Sequence, residues 1–441
     1  MRAIALVLCI GLIVVAQAQS KADTQQGQEQ EKKETGKETD RDDLDALRRA
    51  AAAAAAEGAK AAEEGAEETV FKSGNLGLQA LNPEISVTGD MLGAYQSGND
   101  EAAVWDSAFR NLGLHVESYL DPYSRFKAAV PVSTEGVELG EAYFTRYGLP
   151  GNTNITLGKF RQQFGVVNRW HKHALDWFDF PLPLRAVFGP GGLNQVGLSL
   201  EWSGASGPLN HSVWFEVTDA DNPLMFDYNA RNRPSFLARY GVYQDLSPST
   251  YLEIGATGLA GWNEDWHGEV DTSFTAAQAA AYAKSDPRVT AVYGADLTLV
   301  WEPTGRMRYR NVQVRSEAYF VDKDLYAPDG SGVDRLTPWG FYSLVYAKVS
   351  RTVEVGARYD YFEPNTRDYV YGGAPAPVPL AVTTDDAYRQ LAGAWVTWWQ
   401  SPFVKFRGGY SIETGRGTGS DEQFVTLQMV FAAGPHKHER Y

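Results

Sequence analysis

Val353-Glu354-Val355-Gly356-Ala357-Arg358-Tyr359-Asp360-Tyr361 alternates apolar with polar or small residues at every step. A period of two puts successive side chains on opposite faces of a β-strand. One face of this segment is apolar and the other carries Glu354, Arg358 and Asp360. The pattern recurs in Gln195–Trp202, Tyr251–Ala260 and Val404–Glu413. Sixteen such segments are expected, near 85–96, 106–120, 125–132, 137–147, 154–164, 193–203, 209–219, 235–245, 250–262, 289–302, 309–322, 339–349, 353–363, 386–400, 403–413 and 422–431.

Periodicity alone fits either a soluble sandwich or a membrane barrel, and the connections separate them. Asp121-Pro122-Tyr123-Ser124, Pro150-Gly151-Asn152, Ser247-Pro248-Ser249, Ser350-Arg351 and Ser401-Pro402 read as tight turns. Between them stand long loops near 165–192, 220–234, 263–288, 323–338 and 364–385. Short turns at one rim and long loops at the other characterise transmembrane β-barrels. Only the Val130–Val137 connection departs from this, being short where a long loop is due. The expected fold class is therefore all-β, a transmembrane antiparallel barrel of about sixteen strands spanning 84–441. Closure matters because lipid offers no partner for an open sheet edge.

Composition agrees. Met1–Ala18 has a positive Arg2, an apolar Ile4–Val15 and a small-x-small Ala16-Gln17-Ala18, the pattern of a cleaved signal peptide. The apolar run is shorter than the roughly 20 residues a helical span needs. The only cysteine, Cys9, lies inside it, so an exported chain carries no disulfide. Mean hydropathy is slightly polar, as expected when only alternate strand residues meet lipid. Twelve Trp and 23 Tyr suit aromatic girdles at two membrane interfaces. A net charge of −15 argues against nucleic acid as a partner.

Residues 19–73 differ from the rest. Ser20–Asp43 has almost no apolar residue and reads as disordered. Leu44–Glu68 is rich in Ala and Glu and favours helix. Together they form an expected periplasmic arm, joined by a 74–83 linker.

Leu81-Asn82-Pro83-Glu84-Ile85-Ser86-Val87, Phe188-Gly189-Pro190-Gly191-Gly192-Leu193 leading into Val196–Leu200, and the closing Phe424–Phe431 carry a resemblance. The chain resembles bacterial outer-membrane porins, and within them the phosphate-selective group and its uncharacterised relatives. The resemblance covers the barrel and not the arm. It implies an outer-membrane channel for small polar solutes, a homotrimer, and insertion by the barrel-assembly machinery. Such barrels end on an aromatic residue. Here Tyr441 is displaced from the last strand by Gly434–Arg440, leaving Phe431 as the alternative signal.

In the resembled porins the third long loop folds inward and narrows the channel. Here that loop and the strand before it hold Lys159, Arg161, Arg169, His171, Lys172, His173, Asp176, Asp179 and Arg185. Five Lys or Arg face two Asp between 159 and 192, in a chain that is acidic overall. Concentrated cations in a low-dielectric passage favour anions. The alternative is an outward loop with solvated charges. Arg239, Arg315, Arg358, Lys405 and Arg407 are expected on the lumen wall, where pairing with wall carboxylates is the plainer role.

His171-x-His173 and His436-x-His438 each offer two imidazoles, fewer than a firm metal site needs. Asp176 adds a third ligand only if the loop folds to allow it. No metal and no cofactor are assigned. Two other functions stay open. One is an envelope protein or adhesin whose N-terminal arm binds a periplasmic partner. The other is a barrel hydrolase, for which His115 with Glu117 and Ser118, or His211, are the candidate groups.

Overall fold

The computed structural model describes residues 83–98, 101–226, 233–264, 287–306, 310–326, 333–364, 388–416 and 422–434. The signal peptide, the arm, most of the linker and the histidines at 436 and 438 lie outside these residues.

The chain forms a closed antiparallel barrel of sixteen strands. These are β1 (Glu84–Gly98), β2 (Glu101–Asp121), β3 (Ser124–Ser133), β4 (Glu141–Leu149), β5 (Thr153–Arg161), β6 (Asn194–Ser206), β7 (Leu209–Thr218) and β8 (Ser235–Ser247). The wall continues with β9 (Thr250–Asn263), β10 (Arg288–Trp301), β11 (Asn311–Tyr326), β12 (Trp339–Lys348), β13 (Val353–Glu363), β14 (Tyr388–Ser401), β15 (Val404–Arg416) and β16 (Glu422–Ala433). Each strand pairs with its sequence neighbours, and β1 pairs with β16 from Val87↔Ala433 to Gly98↔Glu422. Among the described residues no strand of the wall lacks a partner on either side, as a wall in lipid requires.

Two short pieces, Gly136–Val137 and Val333–Leu336, extend the neighbouring hairpins. The second revises an expectation. Part of the 323–338 loop is strand, because β11 continues and pairs Lys323↔Leu336, with Arg335 bonded to Asp322. Likewise β2 is longer than the expected 106–120, and the strand expected at 137–147 regularises only from Glu141.

The alternation sorts as expected on β13. Val355 is 37% exposed while Arg358 and Asp360 are buried inside. On β16 Leu427 is 52% exposed and its neighbour Gln428 faces inward. Ile254, Val196, Trp202, Tyr410 and Ile412 also lie on the outer face. At the turn between β2 and β3, Asp121 Oδ1 accepts the Tyr123 N–H at 2.7 Å, which sets the two-residue connection. On the opposite rim the 162–193 connection leaves β5, and it fills much of the lumen.

Candidate functional site

Strand β5 ends at Arg161, and the chain turns inward at Gly165, where φ is +61°. A Cβ there would stand 2.3 Å from Glu317 Oε2 on β11. The glycine therefore permits both the turn and the approach. Glu317 receives the loop. Its Oε1 accepts the N–H groups of Val166 at 3.0 Å and Val167 at 2.9 Å, and the Tyr342 hydroxyl at 2.9 Å. Its Oε2 accepts the Tyr319 hydroxyl at 2.6 Å. Two short 3₁₀ turns follow, Val167–Arg169 and Lys172–Ala174, and then the helix α1 (Leu182–Phe188). A prolyl residue in its first turn suits α1, since N–H groups there have no partner within the helix.

The far wall then secures the loop group by group. Arg315 on β11 donates to Asp176 at 2.9 Å. Lys405 on β15 donates to the His173 carbonyl at 2.7 Å. Arg407, also on β15, donates to the carbonyls of Leu175 at 2.9 Å and Trp177 at 2.7 Å. Arg358 on β13 donates to the Asp179 carbonyl at 3.0 Å, and Asp360 accepts the Leu182 N–H at 2.7 Å. Backbone carbonyls cut off from water need such donors, and charged ones make the stronger bonds.

Apolar packing completes the attachment. Trp170, Trp177, Phe178, Phe180, Leu184 and Phe188 of the loop are buried against wall residues that face inward. Those wall residues include Leu237, Leu259, Tyr319, Tyr342, Phe362, Leu391 and Trp395. They stand at lumen positions on β8–β14, where a water-filled channel would carry polar groups. This is the signal by which the loop bed is legible in the sequence, and charge alone does not show it.

The predicted site residues are divided by this arrangement. Arg161 donates to the Gly191 carbonyl at 2.9 Å and lies 3.6 Å from Glu141. Lys159 pairs across β6 with the outward Val196, so it sits on the outer face and away from the passage. Lys172 and Arg185 lie 3.2 Å and 4.0 Å from Asp179. Burial opposes ionisation of Asp179, but Lys172, Arg185 and Arg110 outweigh it and hold its carboxyl well below the usual range. Asp176 is bonded to Arg315, so it does not serve as a third ligand beside His171 and His173. Among the wall cations, Arg315, Arg358, Lys405 and Arg407 hold the loop, and Arg239 forms a two-pronged pair with Asp296, one prong at 2.8 Å. Of the predicted loop residues, Arg161, Arg169 and His171 line one open space beside the loop.

That space is a polar cavity of about 360 Å³ between the loop and β3–β7. Its cations are Arg125, Lys127, Arg161 and Arg169, with His171 beside them. Its acids are Glu141, Glu201 and Glu216, and Tyr143, Tyr147 and Trp214 add rings. Most of these charges have partners. Glu141 faces Arg161 and lies 3.4 Å from His171 Nε2. Glu216 accepts the Gln163 N–H at 3.2 Å and the Ser199 hydroxyl at 3.0 Å. Asn154 donates to Glu201 at 3.2 Å, and Arg125 is bonded to Glu117. Among the described residues, no ion pair engages Lys127 or Arg169. Arg125, Lys127, Tyr143, Tyr147, Trp214 and Glu216 escaped the sequence reading, although their inward parity on β3, β4 and β7 marks them.

The hydrolase candidates are not assembled. His115 faces inward, Glu117 is taken by Arg125, and Ser118 stands at the opposite parity with its hydroxyl on the Tyr119 carbonyl at 3.4 Å. His211 bonds the Tyr240 hydroxyl at 2.7 Å. Among the described residues, no group of three His, Cys, Asp or Glu has the spacing of a metal site.

No protein-family model matches the chain. A curated protein of Aquifex aeolicus described as uncharacterized is 24% identical over 267 residues, or 57% of this chain. The match spans about half of that relative, 54% of its length. Solved structures with a similar fold include a porin and an outer-membrane channel. The anion-selective porin from Comamonas acidovorans superposes with a TM-score of 0.51 at 10% identity, over 80% of this chain and 100% of that one. The outer-membrane channel DcaP of Acinetobacter baumannii gives 0.50 at 12% identity, over 80% and 97%. At these identities the likeness establishes the fold these chains share, a closed antiparallel β-barrel.

Proposed function

We propose that the protein is an exported outer-membrane porin, a passive diffusion channel for small hydrophilic solutes. One observation carries the reading. The inward loop fills the lumen against β8–β15 and leaves a charged cavity against β3–β7. Solutes would pass beside Arg169 and Lys127, whose charges have no ion-pair partner among the described residues. Excess cation in a passage walled by protein raises the local concentration of anions. The reading therefore includes an anion preference, in keeping with the resemblance to phosphate-selective porins. It also includes a cleaved signal peptide, a homotrimer and insertion by the barrel-assembly machinery. No cofactor or energy source enters. Solutes are filtered by size and by field, and no bond is made or broken.

Recording single channels in a planar bilayer under a salt gradient tests it. A conductance with reversal potential on the anion side is expected. Purified protein that inserts as a barrel and conducts nothing would overturn the channel, and a cation-side reversal would overturn the preference. Binding of a periplasmic partner by the arm is compatible with a channel, but nothing among the described residues favours it.

A further inference from the structure

The carbonyls of two consecutive loop residues, Trp177 and Phe178, are held from opposite sides of the line where the barrel closes. Arg407 on β15 donates to the Trp177 carbonyl at 2.7 Å. Arg110 on β2 donates to the Phe178 carbonyl. Between these two guanidiniums, along the inner wall, stand Gln428 on β16 and Asp90 on β1. Gln428 Oε1 accepts from Arg407 at 3.0 Å, and Gln428 Nε2 donates to Asp90 Oδ1 at 2.9 Å. Asp90 Oδ2 accepts from Arg110 Nε at 3.0 Å and also pairs with its Nη2. The bonds form a closed circuit, from Trp177 through β15, β16, β1 and β2 back to Phe178. It crosses the pairing of β1 with β16, the seam that joins the two ends of the wall.

Each member suits its place chemically. A side-chain amide is neutral and carries an acceptor and a donor side by side. At Gln428 it meets a guanidinium with the first and a carboxylate with the second. A carboxylate there would face Asp90 with like charge, and an ammonium would face Arg407 with like charge. Arg110 reaches the lumen through an irregularity in β2. Asp90 pairs with Asn111 and Met91 pairs with Phe109, so Arg110 is an extra residue with nothing opposite it on β1. A bulge of this kind re-aims a side chain. Phe109 stays on the outer face, while the planar fork of Arg110 spans the buried Asp90 and the loop. Gly409 on β15 leaves room for the Phe178 ring, since a Cβ there would stand 2.7 Å from it. Asp90 and Gln428 are 338 positions apart, so the circuit exists only where the first and last strands have met.

We propose that Asp90, Arg110 and Gln428 are positioning residues of the inward loop, a staple across the seam that sets Trp177 and Phe178 in place. The staple couples two events. Seating of this part of the loop requires a paired seam, and the seated loop in turn holds the seam from inside. Losing any one link frees the Phe178 carbonyl or its support on the wall, and the loop tip moves while the strands remain paired. The staple goes beyond the channel reading, and only the conductance part of its test depends on that reading.

The test uses the full-length protein, with Arg110→Met, Gln428→Met and the two combined. Should Arg110→Met fail to fold, Arg110→Met with Asp90→Asn replaces it, because it leaves no buried carboxylate unpaired. Gel mobility before and after heating reports whether the barrel is closed. The loop is read from Trp177, whose ring packs against Phe178 at 4.8 Å and Trp395 at 5.2 Å. Its quenching by acrylamide is taken as the difference between each protein and its Trp177→Phe counterpart. Quenching should rise by about two-fold or more in each single variant, with the closed-barrel mobility kept, and the combined variant should add little because links of one circuit are not independent. In planar bilayers the same variants should give a noisier conductance. No conductance from any of the proteins overturns the channel alone, and quenching then decides the staple. Unchanged quenching in both single variants, or rises that simply sum in the combined one, overturns the staple. A lowered unfolding temperature with the Trp177 signal unmoved overturns it as well, by making these residues braces of the wall.

Discussion

Asp176 and Arg315, 139 positions apart in sequence, are joined at 2.9 Å inside the barrel, and both side chains are buried. The Arg315 guanidinium also lies over the Trp170 ring, 4.2 Å from its centroid. A charge, a hydrogen bond and a ring face thus fix the loop to β11 at one place. Removing one partner of a buried pair leaves the other charge uncompensated, at a cost of roughly 3–5 kcal/mol. Asp176→Ala should therefore unseat the middle of the loop. Expected results are a higher and noisier single-channel conductance and greater quenching of Trp fluorescence by a soluble quencher. Asp176→Ala combined with Arg315→Met should recover part of the loss in a denaturant titration. A double variant no more stable than the single one would contradict this account.

Arg169→Ala should shift the reversal potential toward cations, because it removes a cation that borders the cavity. Lys172→Ala and Arg185→Ala should leave selectivity nearly unchanged, since both partner Asp179 away from the cavity. Measuring the three variants in one salt gradient separates field from loop integrity. Equal shifts in all three would mean that loop seating, and not local charge, sets selectivity.

Gly165→Ala tests how the loop enters the lumen. The residue combines a positive φ with a would-be Cβ 2.3 Å from Glu317 Oε2. Left-handed backbone at a non-glycine residue costs on the order of 1–3 kcal/mol, and the contact adds to it. The variant should still form the barrel, since Gly165 lies outside every strand. The proteolytic resistance of the loop should fall, and peptide mapping would show cleavage within 165–192.

Asp179 gives the loop an acid limit. Its carboxyl is held below its ordinary value, so the stability it contributes is present above about pH 4 and is lost as pH falls further. Asp179→Asn should remove the part of the acid destabilisation that begins below about pH 4. Thermal unfolding followed from pH 6 to pH 2.5 is the measurement.

Leu427→Arg places a charge on the outer face, and Gln428→Arg places one inside. A cation facing lipid near the midplane costs about 2–4 kcal/mol, falling toward the interfaces. Folding into lipid vesicles should be impaired by the first substitution far more than by the second. The opposite order would contradict the assignment of faces.

Part of the site was legible along the chain and part was not. The loop could be located at 165–192 because it is long, aromatic and cationic. Arg358 and Lys405 could be placed on the inner face by parity. Their task could not be read. Each bonds a loop carbonyl about 180 to 230 positions away, and a carbonyl leaves no mark in a sequence. Lys159 looked like its neighbour Arg161, yet parity sets it beside Val196, while Arg161, in the last pair of the strand opposite Asn194, reaches the Gly191 carbonyl with its guanidinium. His115 seemed relevant beside Glu117 and Ser118, but its companions are His171 and His173.

Strand identity, the two faces of the wall and the alternation of turns with loops were determined by the sequence by itself. They follow from a period of two and from turn residues, which act over a few positions. The tertiary structure alone decided which charges remain for solutes. Closing the barrel brings β11, β13 and β15 around the loop, and their cations are consumed by its backbone carbonyls and by the Asp176 carboxylate. Arg169 and Lys127 are left at the cavity for the same reason: their carboxylate neighbours are already bonded to other partners, a fact that exists only once the wall has closed.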